Sequence, residues 1–530
     1  MVVVIVAAMC LAGALPIGAA PAGGERNTLV VAKSDEPNSI DPQVHDGWYS
    51  VRAQSAVYEA LVDLKWDPAA KKLAVLPLLA TSWKISPDGL TYSFALRPGV
   101  KFSDGTALTS DDVKATFERN RALKMRTVWQ VEPIDAVTTP DEHTVVMKLK
   151  RRFTPFLYAM GRAYIMSAKA IRANDHGDNA QPYFNSHMLG TGPYKFVEWS
   201  RQSTITFEKN PEYWGGWSGS HFDRIVLRHV PDPATQRLLA EKGDVDFALQ
   251  IAPDDAVALK KNQNVVVLAQ PVTATFGFPM KARGALKDTK VRQALEYSFP
   301  YTQVLQGLRK GFGARLYGPF PRGVPGYTEQ GLTKYDYAPD KAKALLAEAG
   351  YKPGPNGLLA KDGKPLSFEV WTLAGVPYEK DVALLWQQAL RQIGVTIRVT
   401  DQSNIASYVT ATYNFDATAD MYGWVTAPFI PDPHDLARQF STKAFNGLNT
   451  AFWGNAQSDS LIDLGSQMAP GPARTNVYER LERMMNADPP AVWAWQEEKI
   501  IVHSASVGGY MYDPLNMYPR EIRYYDLYRK

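Results

Sequence analysis

The alternation of apolar and polar residues along the chain predicts a mixed α/β protein. Every second residue is apolar in short runs such as residues 91–96 and 144–149, which is typical of half-buried strands. Further strands are predicted at residues 28–32, 203–208, 224–230, 245–251, 265–269 and 396–400. Apolar residues at helical spacing, with capping residues at the ends, predict helices at residues 110–123, 339–349, 378–393 and 474–487. Since these elements alternate without regular βαβ units or repeats, we expect an α/β fold of a few compact lobes with large sheets.

The first segment, residues 1–22, has the pattern of a secretory signal peptide. It carries no charged side chain, and its apolar run ends in small residues and prolines, which suit cleavage after Ala22. Because no Lys or Arg precedes the run, an uncleaved membrane anchor and a misplaced start codon are open alternatives. We expect an exported, periplasmic protein. The single cysteine, Cys10, lies in this segment, so cleavage would leave a chain with no disulfide, thiolate metal ligand or Cys nucleophile.

Composition narrows the classes of function. With 45% hydrophobic and 11% aromatic residues, the 530-residue chain can bury a large core, which excludes disorder. The 58 Lys and Arg residues nearly balance the 54 Asp and Glu residues, and this balance excludes a nucleic-acid groove. The sequence lacks the motifs of hydrolases, nucleotide-binding loops and zinc sites, and its eight His residues lack the spacing of a metal site. We therefore expect a binding protein that is not an enzyme and holds no cofactor or metal.

A dozen short motifs follow the order found in one protein family. In chain order they read EPNSIDP at 36–42, YEALV at 58–62, LATSW at 79–83, SPDGLTYSF at 86–94, LRPGVKFSDGT at 96–106, GTGPY at 190–194, NPEYW at 210–214, GDVD at 243–246, VRQAL at 291–295, DKA at 340–342, LLAEAG at 345–350 and DP at 432–433. Together they resemble the large extracytoplasmic solute-binding proteins of family 5, the dipeptide-, oligopeptide- and nickel-binding receptors of ABC importers. The resemblance covers essentially the whole chain after residue 22, although we expect most of these residues to hold the scaffold together.

The resemblance implies a two-lobe periplasmic-binding-protein fold of the large type, with a hinge between the lobes and an accessory subdomain in lobe one. We place lobe one at residues 23–272 together with residues 500–530, and lobe two at residues 273–499. Hinge closure would enclose a ligand between the lobes. The resemblance also implies a monomeric receptor that captures oligopeptides or peptide-like solutes. It would deliver them to the permease and ATPase subunits of an ABC transporter in the inner membrane.

The candidate ligand-binding residues are aromatic and polar side chains in loops that the resemblance places at the cleft. Aromatic walls with a few polar anchors are what an enclosed ligand site needs. The candidates are Trp48, Tyr49, Trp371, Tyr422, Trp424 and Asp432. His45 and Asp46, in the loop before Trp48, are further candidates.

Two positions distinguish this chain from its relatives. Peptide receptors of the family bind the ligand ammonium with an Asp three residues after a Trp, but this position is Ala427 here, so Asp432 is the alternative. Dipeptide receptors bind the ligand carboxylate with an Arg, and the corresponding position is Val376. The absence of both groups favours a longer peptide held through its backbone. The alternative ligands are a nickel chelate or haem, held by His434 or His45, an opine and an oligosaccharide.

Overall fold

Helices and strands alternate along the chain, as the apolar pattern predicts. The structure, a computed structural model, describes residues 27–44, 48–67, 72–376, 378–514 and 522–530. The predicted signal segment, residues 1–22, lies outside the described residues. Among the described helices, none combines the length and the apolar character that crossing a membrane requires.

The helices of the described chain are mostly short and lie between strands. They are α1 (Trp48–Val57), α2 (Ser110–Leu123), α3 (Phe156–Met160), α4 (Ala168–Asn174), α5 (Gln181–Phe184), α6 (Pro233–Lys242), α7 (Pro253–Leu259), α8 (Thr289–Ser298), α9 (Pro339–Glu348), α10 (Glu379–Gln392), α11 (Ile405–Thr412), α12 (Pro433–Ala437), α13 (Ala456–Gln467) and α14 (Pro472–Ala487).

The strands range from two to fifteen residues. They are β1 (Thr28–Lys33), β2 (Val62–Asp67), β3 (Lys72–Pro77), β4 (Ala80–Ile85), β5 (Thr91–Leu96), β6 (Ile134–Asp141), β7 (Thr144–Leu149), β8 (Tyr194–Ser200), β9 (Thr204–Lys209), β10 (Arg224–His229), β11 (Phe247–Ala248), β12 (Val265–Pro279), β13 (Ala314–Arg315), β14 (Lys352–Pro353), β15 (Leu359–Lys361), β16 (Lys364–Pro365), β17 (Ser367–Leu373), β18 (Thr396–Gln402), β19 (Met421–Tyr422), β20 (Trp424–Thr426), β21 (Ala491–Ser504), β22 (Val507–Gly508) and β23 (Tyr528–Arg529).

The largest sheet joins the beginning, the middle and the end of the chain. Its strand order is β20-β12-β21-β11-β1-β10-β9-β8, and β13 pairs with β21 at the side. Strand β1 runs parallel to both of its neighbours, β10 and β11. Its apolar residues Leu29 and Val31 are fully buried, as expected for a strand inside a covered sheet. Ala32, Lys33 and Asp35 are also buried, so the first strand ends inside the protein.

The two longest strands, β12 and β21, pair antiparallel along nearly their whole length. A register shift between Pro271 and Thr275 interrupts this pairing. Val502 of β21 packs in one apolar cluster, whereas Trp495 of the same strand packs in another. The two strands therefore connect two separate cores. The predicted lobe boundaries, at residues 272/273 and 499/500, fall within these strands, and the division itself stays a prediction.

Two smaller sheets each pack against a helix. The antiparallel sheet β4-β5-β7-β6 packs through Phe94 and Met147 against α2. The sheet β18-β17-β19 is parallel and is covered by α10, whose Trp386 is fully buried and donates to Ser298 Oγ at 3.0 Å. A hydrogen-bond acceptor for the indole N–H allows this large ring to lie in the core.

Most predicted elements are confirmed within a few residues, and two are wrong in length. The strand predicted at residues 245–251 is only β11, because the side chain of Gln236 takes over the pairing after Ala248. Its Oε1 accepts the N–H of Gln250 at 3.1 Å and shares the N–H of Leu249 with the carbonyl of Ala32 in β1, at 3.1 and 3.3 Å. The strand predicted at residues 265–269 continues to Pro279, because the register shift accommodates Pro271, which has no N–H to donate.

The turn between Gly190 and Gly192 positions β8 by a close backbone approach. A Cβ at Gly190 would lie 2.2 Å from the carbonyl oxygen of Val57, and one at Gly192 would lie 2.6 Å from the same oxygen. The N–H of Gly192 donates to this carbonyl at 2.8 Å, and Thr191 Oγ1 donates to Glu59 Oε2 at 2.8 Å. Only glycine permits this contact between the end of α1 and the start of β8.

Candidate functional site

A cavity of about 220 Å³ lies where the largest sheet meets the parallel sheet. Its walls include Ser34, which follows β1, Leu249, which follows β11, and Leu373, the last residue of β17. These strands run parallel to neighbours in their own sheets, so their carboxyl ends converge on the cavity. The carboxyl ends of strands are where open α/β sheets bind ligands. Further wall residues come from β20, β21, α10 and α11.

Three aromatic side chains, Tyr408, Tyr413 and Trp424, form one wall of this cavity. Trp424 begins β20, and pairing with Gly277 of β12 fixes its position. The rings of Tyr408 and Trp424 are nearly parallel, with centroids 6.5 Å apart, and Tyr413 meets Trp424 edge to face at 6.4 Å. Such a wall offers apolar surface together with electron-rich ring faces.

Arg309 and Glu497 line the same cavity and form a buried ion pair. Arg309 Nη2 lies 2.7 Å from Glu497 Oε2, and Tyr378 Oη donates to Glu497 Oε1 at 2.8 Å. The guanidinium of Arg309 also lies over the Tyr378 ring, 4.3 Å from its centroid. Burial, reinforced by the Glu497 charge, raises the pKa of Tyr378 well above its usual value. These three side chains pair their charges and hydrogen-bonding groups with one another, and they connect β21 to the start of α10.

Glu379, in the first turn of α10, places a second carboxylate in the wall. Its Oε2 accepts the N–H of Leu373 at 2.9 Å, and the side chain is almost fully buried. Gly423 leaves room for the carboxylate, because a Cβ there would lie 2.9 Å from Oε2. Burial raises the pKa of Glu379 to about 8, with smaller contributions from Glu497 and Asp401.

Contacts between distant parts of the chain close the cavity on one side. Arg126, which follows α2, donates from Nη1 to Tyr413 Oη at 2.8 Å, and its guanidinium lies 5.6 Å from the centre of that ring. Away from the cavity wall, the N–H of Thr154 donates to the carbonyl of Ser466 at 2.8 Å, and its Oγ1 donates to the carbonyl of Met468 at 2.6 Å. These bonds join the segment around the four-stranded sheet to the segment that contains α11 and α13.

A second cavity, of about 610 Å³, lies further along β21. Glu497 and Glu498 line both cavities, so this strand is a shared wall. The other walls of the second cavity carry the aromatic side chains Trp66, Tyr158 and Tyr512 together with several prolines. The two cavities are therefore neighbours within one cleft region of the structure.

Among the predicted ligand-binding residues, Trp424 lines the smaller cavity. Trp371 and Tyr422 lie behind the aromatic wall, where they pack with Tyr408 and Trp424, and their own rings meet edge to face at 6.2 Å. Tyr422 is fully buried. Direct ligand contact by these residues stays a prediction.

The two positions that distinguish the chain from peptide receptors also have a place in the structure. Val376 lines the smaller cavity, so this part of the wall carries an apolar side chain. Ala427 packs against Val272 and Ala274 in a small apolar cluster. The polar groups of this cavity therefore come from other positions.

Asp432 is occupied by contacts within the protein. Its two carboxylate oxygens lie 2.9 and 2.6 Å from the two terminal nitrogens of Arg474, and both side chains are buried. Oδ1 also accepts the N–H of His434 at 2.9 Å, so Asp432 is the N-cap of α12. It lines neither cavity described above. A role as the ammonium acceptor of a ligand stays a prediction, and the geometry favours a structural role.

The remaining candidates are only partly described. Trp48 and Tyr49 begin α1, and the structure describes them only as part of this helix. His45 and Asp46 lie outside the described residues. Their predicted contact with a ligand therefore stays untested.

The described residues offer little that could hold a metal ion. In the described ranges, no group of three or more His, Cys, Asp or Glu side chains is arranged as a metal site. The ring of His434 is buried edge to face against Phe153, with centroids 5.6 Å apart. Burial, together with the smaller effects of the charges on Arg438 and Arg474, lowers the pKa of His434 to about 3.

Sequence reasoning missed several cavity residues. Glu497 and Glu498 resemble an ordinary surface pair in the sequence, yet Glu497 is buried in an ion pair. Tyr408 and Tyr413 belong to α11 and its C-terminal end, a helix that the apolar pattern does not predict. Glu379 could have been found from its position at the start of a strongly amphipathic helix, next to Tyr378 and beside the predicted cleft loop.

A family profile matches most of the chain. The profile described as "Bacterial extracellular solute-binding proteins, family 5 Middle" matches residues 74–447. The chain belongs to this family. The sequence resemblance and the two-lobe α/β fold class are thereby confirmed, and the family consists of substrate-binding receptors found outside the cytoplasm.

Relatives match along nearly their whole length. A probable D,D-dipeptide-binding periplasmic protein of Escherichia coli is 26% identical over 516 residues, which cover 96% of this chain and 95% of the relative. An oligopeptide-binding protein of Bacillus subtilis is 27% identical over 488 residues, which cover 89% of this chain and 88% of the relative. A haem-binding protein A of Haemophilus influenzae is 27% identical over 525 residues, covering 92% of this chain and 90% of that protein.

Solved structures share the fold. The oligopeptide-binding protein of Bacillus subtilis in complex with a nonapeptide superposes with a TM-score of 0.84 at 24% identity, covering 95% of this chain and 99% of that one. A nickel-binding protein of Campylobacter jejuni in complex with nickel and L-histidine superposes with a TM-score of 0.80 at 23% identity, covering 92% and 95%. At these identities the likeness concerns the fold alone.

Proposed function

We propose that this protein is the periplasmic receptor of an ABC importer and that it captures oligopeptides or peptide-like solutes in the cavity lined by Trp424 and Glu379. The observation that carries the proposal is the convergence of the carboxyl ends of β1, β11 and β17 on an aromatic-walled cavity in a chain of this family. The receptor works as a monomer, without a cofactor and without catalysis. It passes its solute to the permease and ATPase subunits in the inner membrane.

The cavity chemistry supports a peptide-like solute. Aromatic faces pack against amide planes and side chains, while the polar groups Glu379 and Arg126 can fix their orientation. The volume of about 220 Å³ is below the range of about 300–1,000 Å³ that encloses drug-sized ligands, so it favours a short peptide in this state of the cleft. The larger neighbouring cavity along β21 provides room for a longer chain.

The proposed mechanism is closure about the two long strands. Lobe one comprises residues 23–272 and 500–530, and lobe two comprises residues 273–499. Rotation about β12 and β21 brings the lobes together, and contacts such as Arg126 to Tyr413 form when they meet. The solute shifts the equilibrium because it touches both lobes only in the closed form.

The test uses residues 23–530, purified and refolded to remove solutes that co-purify. Melting temperature and titration calorimetry are measured with alanine peptides of two to five residues, glutathione, nickel with L-histidine, agropinic acid and maltotriose. At a concentration of about 100 Kd, a bound solute stabilises by about 2.7 kcal/mol. We expect at least one peptide to bind with one-to-one stoichiometry. Binding of a non-peptide together with no response to any peptide would overturn the peptide assignment, and the absence of any binding would overturn the receptor assignment at this site.

A further inference from the structure

Glu379 is a buried carboxylate on a cavity wall that has no cationic partner in the described part of the chain. The one hydrogen bond to its carboxylate comes from the N–H of Leu373, to Oε2. No described Lys, Arg or His lies within ion-pair distance of it. Its place in the first turn of α10 supplies only the partial positive charge of a helix end. A buried carboxylate in this situation is costly unless a cation or a proton neutralises it.

The charged neighbours of Glu379 make its ionisation harder, not easier. Asp401 on β18 and Glu497 on β21 are both acidic. The cations next to them are already paired, since Arg309 binds Glu497 at 2.7 Å and Lys380 lies 3.8 Å from Asp401. No cation is therefore left near Glu379 among the described residues to neutralise it, and a positive charge must come from outside or the carboxyl must hold its proton.

The other cations of the cavity wall are also engaged. Arg126 donates to Tyr413 at 2.8 Å. Burial raises the pKa of the Asp35 carboxyl, and the charges of Arg52 and Lys33 lower it. Lys499 also lies close enough to this carboxylate to lower its pKa by a smaller amount. Neither side chain therefore compensates the Glu379 carboxylate.

Aromatic side chains line the same cavity as this carboxylate. Tyr408 donates a short hydrogen bond to the carbonyl of Gly423, the residue whose missing side chain makes room for Glu379. The rings of Tyr408 and Trp424 stand side by side on the same wall, and Tyr378 precedes Glu379 in the chain. A carboxylate beside electron-rich ring faces is the arrangement that binds organic cations in proteins.

We propose that Glu379 is a ligand-binding residue that pairs with an organic cation of the solute, a primary ammonium or a guanidinium, and that Tyr408 and Trp424 flank this charge. The inference rests on the proposed function and identifies one chemical group of the solute, its positive charge. It also assigns the ammonium acceptor to Glu379 at the start of α10, not to Asp432, which Arg474 already occupies.

Two pairs of probes that differ only in charge test the wild-type protein. The first pair is trialanine amide and N-acetyl-trialanine amide, and the second is N-acetyl-Ala-Arg-Ala amide and N-acetyl-Ala-citrulline-Ala amide. Citrulline has nearly the shape of arginine and no charge. We expect the charged member of at least one pair to bind at least tenfold more tightly in calorimetry at pH 7.

The variant Glu379→Gln keeps an acceptor for the Leu373 N–H and cannot ionise. We expect it to lose the tenfold preference between the charged and the neutral member of a pair, and a cooperative melting transition shows that it is folded. Asp401→Asn is the matched control, because Asp401 is an acidic neighbour of Glu379 that does not line the cavity, and it should keep the preference.

Proton release on binding is a second measurement. Since Glu379 has a pKa of about 8, it must release its proton when it pairs with a cation at pH 7. Titrations in buffers of different ionisation enthalpy should show more protons released by the wild type than by Glu379→Gln.

The outcomes separate this inference from the proposed function. Equal binding of both members in both pairs overturns the cation site and leaves the peptide receptor intact. A preference for the charged probe that survives in Glu379→Gln, with unchanged proton release, also overturns it and places the cation elsewhere. Failure of all four probes and of all the peptides tested above counts against the proposed function itself. A tenfold preference that disappears in Glu379→Gln and persists in Asp401→Asn supports the inference.

Discussion

The ion pair between Asp432 and Arg474 provides a sharp test of which residues hold the fold and which bind solute. The substitution Asp432→Ala removes both oxygens that face the guanidinium and leaves Arg474 buried with a full charge. Breaking a buried pair in this way costs about 3–5 kcal/mol of stability. Loss of the cap of α12 is included in this cost, because the same Oδ1 accepts the N–H of His434.

This loss of stability corresponds to a measurable decrease in the melting temperature. The entropy of unfolding is about 2.1 cal/mol/K per residue, so a cooperative unit of about 500 residues loses about 1 °C for each kcal/mol. If residues 273–499 unfold as a unit of their own, the shift is about twice as large. Scanning calorimetry of residues 23–530 should therefore place Asp432→Ala about 3–10 °C below the wild type. The double variant Asp432→Leu with Arg474→Met removes both charges and should recover most of this loss.

The result that would refute this reasoning is a variant that melts like the wild type but no longer binds peptide. Asp432 would then be a ligand-binding residue, the alternative to Ala427 that the sequence offers, and its contact with Arg474 would contribute little to stability. A variant that melts early and, below its transition, binds trialanine as tightly as the wild type supports the structural role. Trialanine titrations at 15 °C, well below either transition, keep the two effects apart.

Three further predictions concern single positions. Gly190→Ala should lower stability by about 1–3 kcal/mol, because its Cβ would lie 2.2 Å from the carbonyl oxygen of Val57, and thermal unfolding measures this loss. Trp424→Ala should weaken peptide binding about tenfold, since it removes half of the ring pair with Tyr408, whereas Trp83→Ala, outside both cavities, should not. Burial lowers the pKa of Lys281 to about 7, below its unfolded value, so the unfolded chain binds the extra proton and wild-type stability should rise between pH 7 and 9 relative to Lys281→Met. Parallel pH profiles of the two proteins would contradict the last prediction.

The sequence predicts the elements well and the cavity only in part. Trp424 was predicted because its position follows from a motif shared within the family, and local pattern predicts helices such as α2 and α10 closely. Glu497 was not predicted, because its partner Arg309 lies 188 residues away and no local signal marks the pair. Tyr408 was missed since α11 is short and carries no clear apolar stripe. Pairings between distant segments are therefore the part of the site that local pattern cannot supply.

The contact between Arg126 and Tyr413 offers a way to measure closure of the cleft on the purified protein. Cys10 is the single cysteine of the sequence, so residues 23–530 contain no thiol. Two cysteines introduced on the surface, one near Arg126 and one near Tyr413, would be the only sites for a pair of fluorescent dyes. Because the two labels sit on segments 287 residues apart that meet at the cavity, their energy transfer would report opening and closing directly. The dye-labelled chain thus becomes an optical sensor, and the solutes that change its energy transfer are the ones that the receptor binds.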